Sequence, residues 1–326
     1  MTDPALPDLA DAVWRPLTPD DAEALAGLTA RIHAAERLTD PAGPDLIRWF
    51  LGLPSIDLGE GTIGAFDSSG TVLADAQVLV RGEGEHRRAV LFVQADPAHL
   101  EAEAPLLAWA ETRARRMLGD GPVDGDRALR VIAEEHRHRW RRVVQDAGFE
   151  PVRSFVTMRR SLTGGLPPIP PTPAGIQIVP WSDDVDPAVR RTSNASFSDH
   201  WGAASMTWEE WRAHYADDEE GFLPEHSYVA LAGGEAAAFV LGERDPEADE
   251  RHGHREFWVG RLGTLAAWRR MGLGAALLAR ALHSAADAGF DRAALSVDES
   301  SRTNATALYD RAGFEITDRE IHHTKS

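Results

Sequence analysis

The feature of this sequence that most constrains its fold is a pattern that occurs twice. A short strand-like run ends at Pro16 and again at Pro180, 164 residues later (180 minus 16), and the Gly-Phe pair at Gly148 recurs at Gly313, 165 residues later (313 minus 148). Both halves carry the same order of elements between these landmarks: an antiparallel meander, then helix, strand, helix and strand. Two landmarks at nearly one spacing predict an internal duplication.

A stretch rich in proline and glycine divides the two halves. Its composition disfavours a helix or a central strand and favours a semi-extended linker. We therefore expect a first domain over residues 1–162, a linker over 163–175 and a second domain over 176–326. Each domain is long enough to bury a core. The expected fold class is α+β, with each domain a mixed, mostly antiparallel sheet flanked by helices.

Composition excludes several functional classes. The formal net charge of -18 argues against nucleic acid or an anionic membrane as the partner. The chain has no cysteine, which excludes disulfides, thiolate catalysis and thiolate-bound metal. No apolar run is long enough to span a bilayer, and the first residues do not read as a secretory signal. We expect a cytoplasmic protein, monomeric or homodimeric.

The strongest local signal for function is a strand, a glycine-containing turn and the start of a helix. Residues 259–264 read as the strand, and residues 269–274, RRMGLG, open a helix rich in Ala and Leu. Unpaired N–H groups and the positive end of a helix dipole favour a phosphate at such a position. Side chains in place of Gly272 and Gly274 would hold a pyrophosphate away from those N–H groups. The alternative explanation for the two glycines is close packing of the helix on the sheet.

The corresponding stretch of the first half lacks this signal. Residues 100–105 read LEAEAP, so both glycines and both arginines are absent. Glu101 and Glu103 would repel a pyrophosphate, and Pro105 has no N–H to donate. Five residues before the phenylalanine of each Gly-Phe pair stand Val144 and Tyr309. We expect the first domain to be a degenerate copy that kept the fold and lost this site.

These motifs resemble those of the GNAT superfamily of N-acetyltransferases. The RRMGLG run matches the superfamily's acyl-CoA motif, Arg/Gln-x-x-Gly-x-Gly/Ala, and residues 308–314 match its signature Leu-Tyr-x-x-x-Gly-Phe. The tandem layout with a degenerate first copy, and the stretch NASFSDH over residues 194–200, resemble mycothiol synthase and its relatives. Two positions differ from that group: Ser301 stands where asparagine is frequent, and Trp258 stands where its acidic base aligns.

The resemblance implies acetyl-CoA as the acyl donor and the amine of a small molecule as the acceptor. Tyr309 is the expected general acid, since a phenol with a pKa near 10 can protonate a leaving thiolate. Glu256 is the expected general base, and Asp199, His200 and Trp201 are expected to contact the acceptor. The backbone at Leu262 or a neighbour is the expected oxyanion donor. The residues expected to hold acetyl-CoA are Leu262, Gly263, Thr264, Arg269, Arg270, Met271, Gly272, Leu273, Gly274, Ala275, Ser301 and Asn304.

Other interpretations remain open at this point. Tyr309 can be a core aromatic residue, Glu256 a carboxylate on the sheet surface, and Asp199 and His200 an ordinary loop pair. Another donor such as succinyl-CoA would use the same motifs, and a protein that binds CoA without catalysis is the alternative from another class. His252 and His254 lie in a charged loop without carboxylates at metal-ligand spacing, so we expect no metal.

Overall fold

The computed structural model describes residues 4–9, 12–38, 41–53, 55–81, 88–119, 128–198, 200–201, 205–216, 221–300 and 305–326. They form two compact units, unit 1 within Met1–Arg153 and Glu320–Ser326 and unit 2 within Ser154–Arg319. Each unit is a mixed, mostly antiparallel sheet flanked by helices, which confirms the predicted fold class.

Unit 1 follows the predicted order of strands and helices. Its elements are β1 (Val13–Arg15), α1 (Ala22–Glu36), α2 (Pro44–Leu51), α3 (Leu58–Gly61), β2 (Thr62–Phe66), β3 (Val72–Arg81), β4 (Arg88–Ala95), α4 (Glu103–Leu118), β5 (Leu129–Glu134) and α5 (His138–Asp146). The strands lie in the order β1 to β5, antiparallel except for β4 and β5, which pair in parallel. Alternate residues of β3 point to opposite faces. One set packs with α4, and the other lies on the face that α1 covers.

Unit 2 repeats this plan. Its elements are β6 (Glu150–Ser161), β7 (Ile176–Pro180), α6 (Asp186–Phe197), α7 (Trp208–Trp211) with a π-helical turn over residues 212–216, β8 (Phe222–Ala232), β9 (Glu235–Glu243), α8 (Pro246–His252), β10 (Glu256–Thr264), α9 (Leu273–Asp287), β11 (Arg292–Asp298) and α10 (Ala305–Arg311). The last strand of the chain, β12 (Glu315–Lys325), begins in unit 2 and ends in unit 1. The strand order is β6, β11, β10, β9, β8, β7, and only β10 and β11 pair in parallel. One core lies between the sheet and α9, and a second lies between the sheet and α6.

The last strand of each sequence half lies in the unit built mainly from the other half. In β6, residues 155–161 pair antiparallel with β11 inside unit 2. In β12, residues 320–325 pair antiparallel with β5 inside unit 1. Residues 163–175 contain no helix or strand, and the His283 ring on α9 lies 2.9 Å from the Pro167 carbonyl oxygen. The sequence boundaries at 162 and 176 therefore do not coincide with the limits of the compact units.

The helices give no sign of a membrane span. Across the residues that the structure describes, none combines the length and the apolar composition needed to cross a bilayer.

Candidate active site

The two central strands of unit 2 separate partway along their length. β10 pairs with β11 only at residues 256–258, whereas its pairing with β9 continues to Thr264. On its other edge, β11 pairs with β6 over all of residues 292–298, so only its edge towards β10 loses its partner. The edge of β10 over residues 259–264 therefore faces a gap in the sheet, where an extended ligand can pair with the backbone.

A β-bulge marks the point where the strands separate. The register of β10 against β9 shifts between Val259 and Arg261, so Gly260 is an extra residue in its strand. An ideal β-carbon at Gly260 would lie 1.9 Å from Oε1 of Glu243, which shows that the Glu243 carboxylate packs directly against this glycine. Any larger residue at the bulge would displace that carboxylate.

The turn after β10 presents N–H groups at the start of α9. Arg270 and Gly272 both have left-handed backbone conformations, with φ of 67° and 84°, and Gly272 is the N-cap of α9. The N–H groups of residues 273–275 lie in the first turn of α9, where no carbonyl of the same helix precedes them, and the Gly272 carbonyl accepts from the Ala276 N–H. This arrangement suits an anion such as a diphosphate.

The two glycines of this turn are not explained by packing within the protein. Nothing lies within 4 Å of an ideal β-carbon at Gly272, and at Gly274 the nearest neighbour is Leu308 Cδ2 at 3.6 Å, an ordinary contact. Gly272 needs glycine for its positive φ. Gly274 lies inside the helix, and the described residues leave room for a methyl group there. The space beside its backbone fits a ligand that approaches the first turn closely.

The two arginines before the turn have different surroundings. The Arg269 guanidinium donates hydrogen bonds to the backbone carbonyls of Thr264 (3.2 Å) and Ser196 (3.0 Å), and so joins the end of β10 to the end of α6. Arg270 is exposed and has no ion-pair or hydrogen-bond partner within the described part of the chain. Of the two, Arg270 is the one whose charge is available to an anion.

Gly263 is accounted for by packing. An ideal β-carbon there would lie 2.6 Å from both the Phe239 ring and the Ser196 hydroxyl. A side chain at this position would therefore push α6 away from the sheet. Leu262, the next residue back, contacts the core on the α9 face.

The helix that carries Tyr309 lies against the start of α9, through the contact between Leu308 and Gly274. Tyr309 is 7% exposed, and its ring lies 6.0 Å from that of Phe314. Burial raises the pKa of its phenol to about 12, so the phenol stays protonated at neutral pH. Protonation is the state that a general acid requires.

Glu256 is held in an ion-pair network at the beginning of β10. Its Oε1 accepts a hydrogen bond from Arg159 Nε at 3.1 Å, and Arg159 also binds Asp318 at 2.7 Å. Four residues separate Glu256 from the bulge at Gly260, a distance of about 13 Å along a strand. The structure does not bring this carboxylate to the bulge.

Two of the predicted acceptor residues, His200 and Trp201, lie on the α6 face of the sheet. The His200 ring lies 4.8 Å from that of Phe197, and the Trp201 ring lies 6.4 Å from that of Phe155 on β6. The Arg261 guanidinium lies 5.2 Å from the centre of the Phe197 ring, so the end of α6 and the middle of β10 are neighbours. Asp199, Ser301 and Asn304 lie outside the described residues.

A cluster of polar side chains on this same face was not predicted from the sequence. Arg261 donates a hydrogen bond to Ser193 Oγ at 2.9 Å, and Tyr215, only 1% exposed, lies beside it. Burial raises the pKa of Tyr215; the Arg261 charge and a hydrogen bond from it act against this, while the Glu243 charge raises the pKa further. These residues come from α6, β9, β10 and the π-helical turn. The one signal in the sequence was a glutamate that ends the otherwise apolar run of β9.

The position in unit 1 that corresponds to the α9 turn is filled by the protein itself. Glu103, the first residue of α4, is 2% exposed and forms an ion pair with Arg139 of α5. Arg139 also donates to the Leu100 carbonyl at 2.8 Å. Within the described residues of both units, no group of three or more His, Asp or Glu side chains is arranged to hold a metal ion.

Comparison with known proteins identifies the family of this chain. The model of the acetyltransferase (GNAT) family matches residues 189–314. A mycothiol acetyltransferase from Geodermatophilus obscurus is 32% identical over 223 residues, which cover 66% of this chain and 70% of that protein. The chain belongs to the GNAT acetyltransferase family. A second mycothiol acetyltransferase, from Salinispora arenicola, is 29% identical over 288 residues, 80% of this chain and 90% of that one. A third, from Mycolicibacterium vanbaalenii, is 31% identical, but the match spans 56% of its length.

Solved structures extend the GNAT likeness to the whole chain. A GCN5-related N-acetyltransferase from Sphaerobacter thermophilus superposes with a TM-score of 0.76 at 24% identity, covering 98% of this chain and 96% of that one. A tandem GNAT protein from the clavulanic acid biosynthesis pathway gives a TM-score of 0.69 at 16% identity, with 97% and 98% coverage. At these identities the likeness concerns the fold. The predicted acetyltransferase family and the tandem layout are thereby confirmed.

Proposed function

We propose that this GNAT protein is an acetyl-CoA-dependent N-acetyltransferase that acts on the primary amine of a small molecule, with its chemistry in unit 2. One observation carries the proposal. The open N-terminus of α9 lies directly after the strand edge that separates from β11, so an anion site and an extended backbone edge are continuous. A ligand with a diphosphate at one end and amides behind it suits both parts.

Each part of the site has a proposed task. The N–H groups of residues 270–275 and the side chain of Arg270 would hold the diphosphate, while residues 262–264 would pair with the amides that follow it. Acetyl-CoA supplies an acetyl group activated as a thioester. The N–H of Leu262 or a neighbour would stabilise negative charge on the acetyl carbonyl oxygen. Arg269 would act indirectly, by holding the end of β10 against α6.

Tyr309 is the proposed general acid. Its phenol keeps its proton at neutral pH, and its helix touches the first turn of α9. It would give this proton to the sulfur as the carbon–sulfur bond breaks. The protein environment of Tyr309 is apolar, so the phenol would donate only when a strongly basic thiolate develops beside it.

A second candidate acceptor comes from the relatives. Proteins named mycothiol acetyltransferase match up to 80% of this chain, which favours an acceptor of the type those enzymes use. Trp258 stands where the acidic base of mycothiol synthase aligns, and this difference favours a different acceptor. Transfer of another acyl group, and CoA binding without catalysis, are the remaining alternatives.

Two measurements test the proposal. Isothermal titration calorimetry is expected to detect acetyl-CoA binding, and a panel of primary amines is expected to yield at least one that releases free CoA thiol. Tyr309→Phe is expected to lower kcat about 100-fold while acetyl-CoA affinity stays within twofold. Tyr228→Phe, a matched change elsewhere in unit 2, is expected to leave both unchanged. Binding without thiol release for every amine would favour the non-catalytic alternative, and absence of binding would refute the proposal.

A further inference from the structure

The carboxylate of Glu243 occupies a place beside the gap in the unit 2 sheet. Glu243 ends β9 and is the cross-strand partner of Trp258, the last residue of β10 that pairs with β11. Oε1 of Glu243 occupies the space that a β-carbon of Gly260 would fill. The bulge therefore brings this carboxylate against the backbone at the point where the two strands separate.

Glu243 lies on the face of the sheet opposite to α9. Side chains alternate along β9: Phe239 and Leu241 pack with α6, whereas Val240 packs with α9. By the same alternation, Glu243 lies on the face that packs with α6. His200 and Arg261, which contact the Phe197 ring at the end of α6, lie on this face too. The anion-binding turn and Glu243 are thus on opposite faces, with the gap between β10 and β11 connecting them.

The residues near Glu243 are held in position by hydrogen bonds. Arg261 donates to Ser193 Oγ at 2.9 Å, and Tyr215 is buried beside it. Asp186, the other carboxylate that acts on Tyr215, accepts hydrogen bonds from the indole N–H groups of Trp211 (2.8 Å) and Trp181 (3.2 Å). Asp186 is therefore held by two indole groups and is only 3% exposed.

In unit 1, the positions that correspond to Glu243 and Arg261 are apolar. Its strand registers make Leu79 the counterpart of Glu243 and Phe92 the counterpart of Arg261. Leu79 belongs to an apolar cluster with Val90 and Ile56, against which Phe92 packs. β4 has no bulge, so the extra glycine and the carboxylate occur together in unit 2 and are both missing from unit 1. A purely structural role does not require a carboxylate at this position.

We infer that Glu243 is the general base that deprotonates the acceptor ammonium in the reaction of unit 2. The inference rests on the proposed function. One proton passes from the ammonium to the Glu243 carboxylate, directly or through one water, and leaves a neutral amine. The nitrogen lone pair then forms the bond to the acetyl carbon, the carbon–sulfur electron pair leaves with sulfur, and Tyr309 gives sulfur its proton. The nitrogen returns its second proton to the Tyr309 phenolate, so the products are the amide, the thiol and a protonated Glu243.

The test uses the full chain, acetyl-CoA and a panel of amines comprising ethanolamine, spermidine, glucosamine and lysine, with the fastest of them chosen for pH profiles. Glu243→Gln is expected to lower kcat/KM at pH 7 about 100-fold or more. Its rate is expected to rise with pH in proportion to the free amine, whereas the wild type levels off once its base is ionised. Affinity for acetyl-CoA by calorimetry is expected to stay within threefold. Glu235→Gln, an exposed glutamate at the other end of β9, is the matched control and is expected to change neither quantity.

The outcomes separate this inference from the proposed function. The Glu243 charge acts on the Tyr215 phenol, on which Arg261 and Asp186 also act, so Tyr215→Phe is run alongside and is expected to retain the wild-type pH profile. If wild type releases thiol and Glu243→Gln does so equally well, the inference is wrong and the proposed function stands. If Glu256→Gln alone removes the pH dependence, the base is Glu256. If wild type binds acetyl-CoA but releases no thiol with any amine, both the proposed function and the inference fail.

Discussion

The helix N-termini of α4 and α9 occupy corresponding positions in the two units and differ in how their positive ends are compensated. At α9 no carbonyl of the same helix precedes the first-turn N–H groups, and the nearby Arg270 is exposed. At α4 the first residue is Glu103, a buried carboxylate paired with Arg139. A helix N-terminus favours negative charge in both cases. Unit 1 supplies that charge from its own chain, whereas the first turn of α9 in unit 2 contains no acidic residue.

This difference explains how one copy can lose a ligand without losing its fold. Removing the arginines and glycines alone would leave unpaired N–H groups at α4. The carboxylate of Glu103 compensates for the positive end of the helix, and Arg139 compensates for the carboxylate. The same unit replaces Glu243 by Leu79 in an apolar cluster. At both positions, unit 1 has its own side chains packed where the proposed site of unit 2 would bind its ligands.

The largest expected effect comes from breaking the ion pair that closes α4. Arg139→Ala leaves the Glu103 charge buried without its partner, and we expect the free energy of unfolding to fall by about 3 kcal/mol. Urea denaturation followed by circular dichroism measures this loss. The double variant Glu103→Gln with Arg139→Ala is expected to recover most of it, because no charge is then buried. Equal losses in the single and double variants would show that the pair is not what stabilises the helix start.

The next effect comes from giving α9 the charge that α4 carries. Gly274→Glu places a carboxylate in the first turn, where the described residues leave room for the β-carbon. We expect acetyl-CoA affinity to fall about 100-fold through repulsion, while the unliganded protein is at least as stable as wild type. Calorimetry and thermal melting measure the two quantities. Gly274→Gln, which has the same size without the charge, is expected to lose no more than about tenfold; equal losses would make bulk the cause.

The smallest expected effect concerns a position where the two units differ inside the sheet. Asp75 of β3 corresponds to Phe239 of β9, is fully buried and accepts a hydrogen bond from Gln77 Nε2 at 2.8 Å. Burial raises the pKa of Asp75 from 3.8 to about 7, although the Gln77 hydrogen bond opposes this. The folded state thus holds a proton that the unfolded chain has released, so the stability contributed by this carboxyl falls as pH rises from about 4 to 7.

Asp75→Asn removes this titration and is expected to stabilise the protein above pH 7 by about 2 kcal/mol relative to wild type, with little difference at pH 4. Unfolding free energies measured by urea at pH 4.5, 6 and 8 give the comparison. Asp20→Asn, at an exposed position, is the control and is expected to follow the wild-type curve. A variant curve parallel to wild type would show that Asp75 is ionised in the folded state.

Much of the fold and of the donor site was predictable, because the determining signals are local. The strand, turn and helix around RRMGLG were recognised from glycines, arginines and an apolar helix, all within a few residues of one another. The order of strands and helices within each half was also predicted from local patterns of apolar and turn residues. The acceptor side was not predictable in the same way. Glu256 and Glu243 are both glutamates at strand ends, and only the bulge at Gly260 distinguishes their surroundings.

The sequence by itself was sufficient to identify a duplicated α+β protein of the GNAT family, and it predicts an anion-binding turn in the second half and none in the first. The tertiary structure decided which carboxylate faces the gap, which arginine is available to an anion, and how the start of α4 is closed. It also decided that each half gives its last strand to the other unit. The physical reason is distance along the chain: Glu103 and Arg139, Glu243 and Gly260, and β6 and β11 become neighbours only when the sheets form.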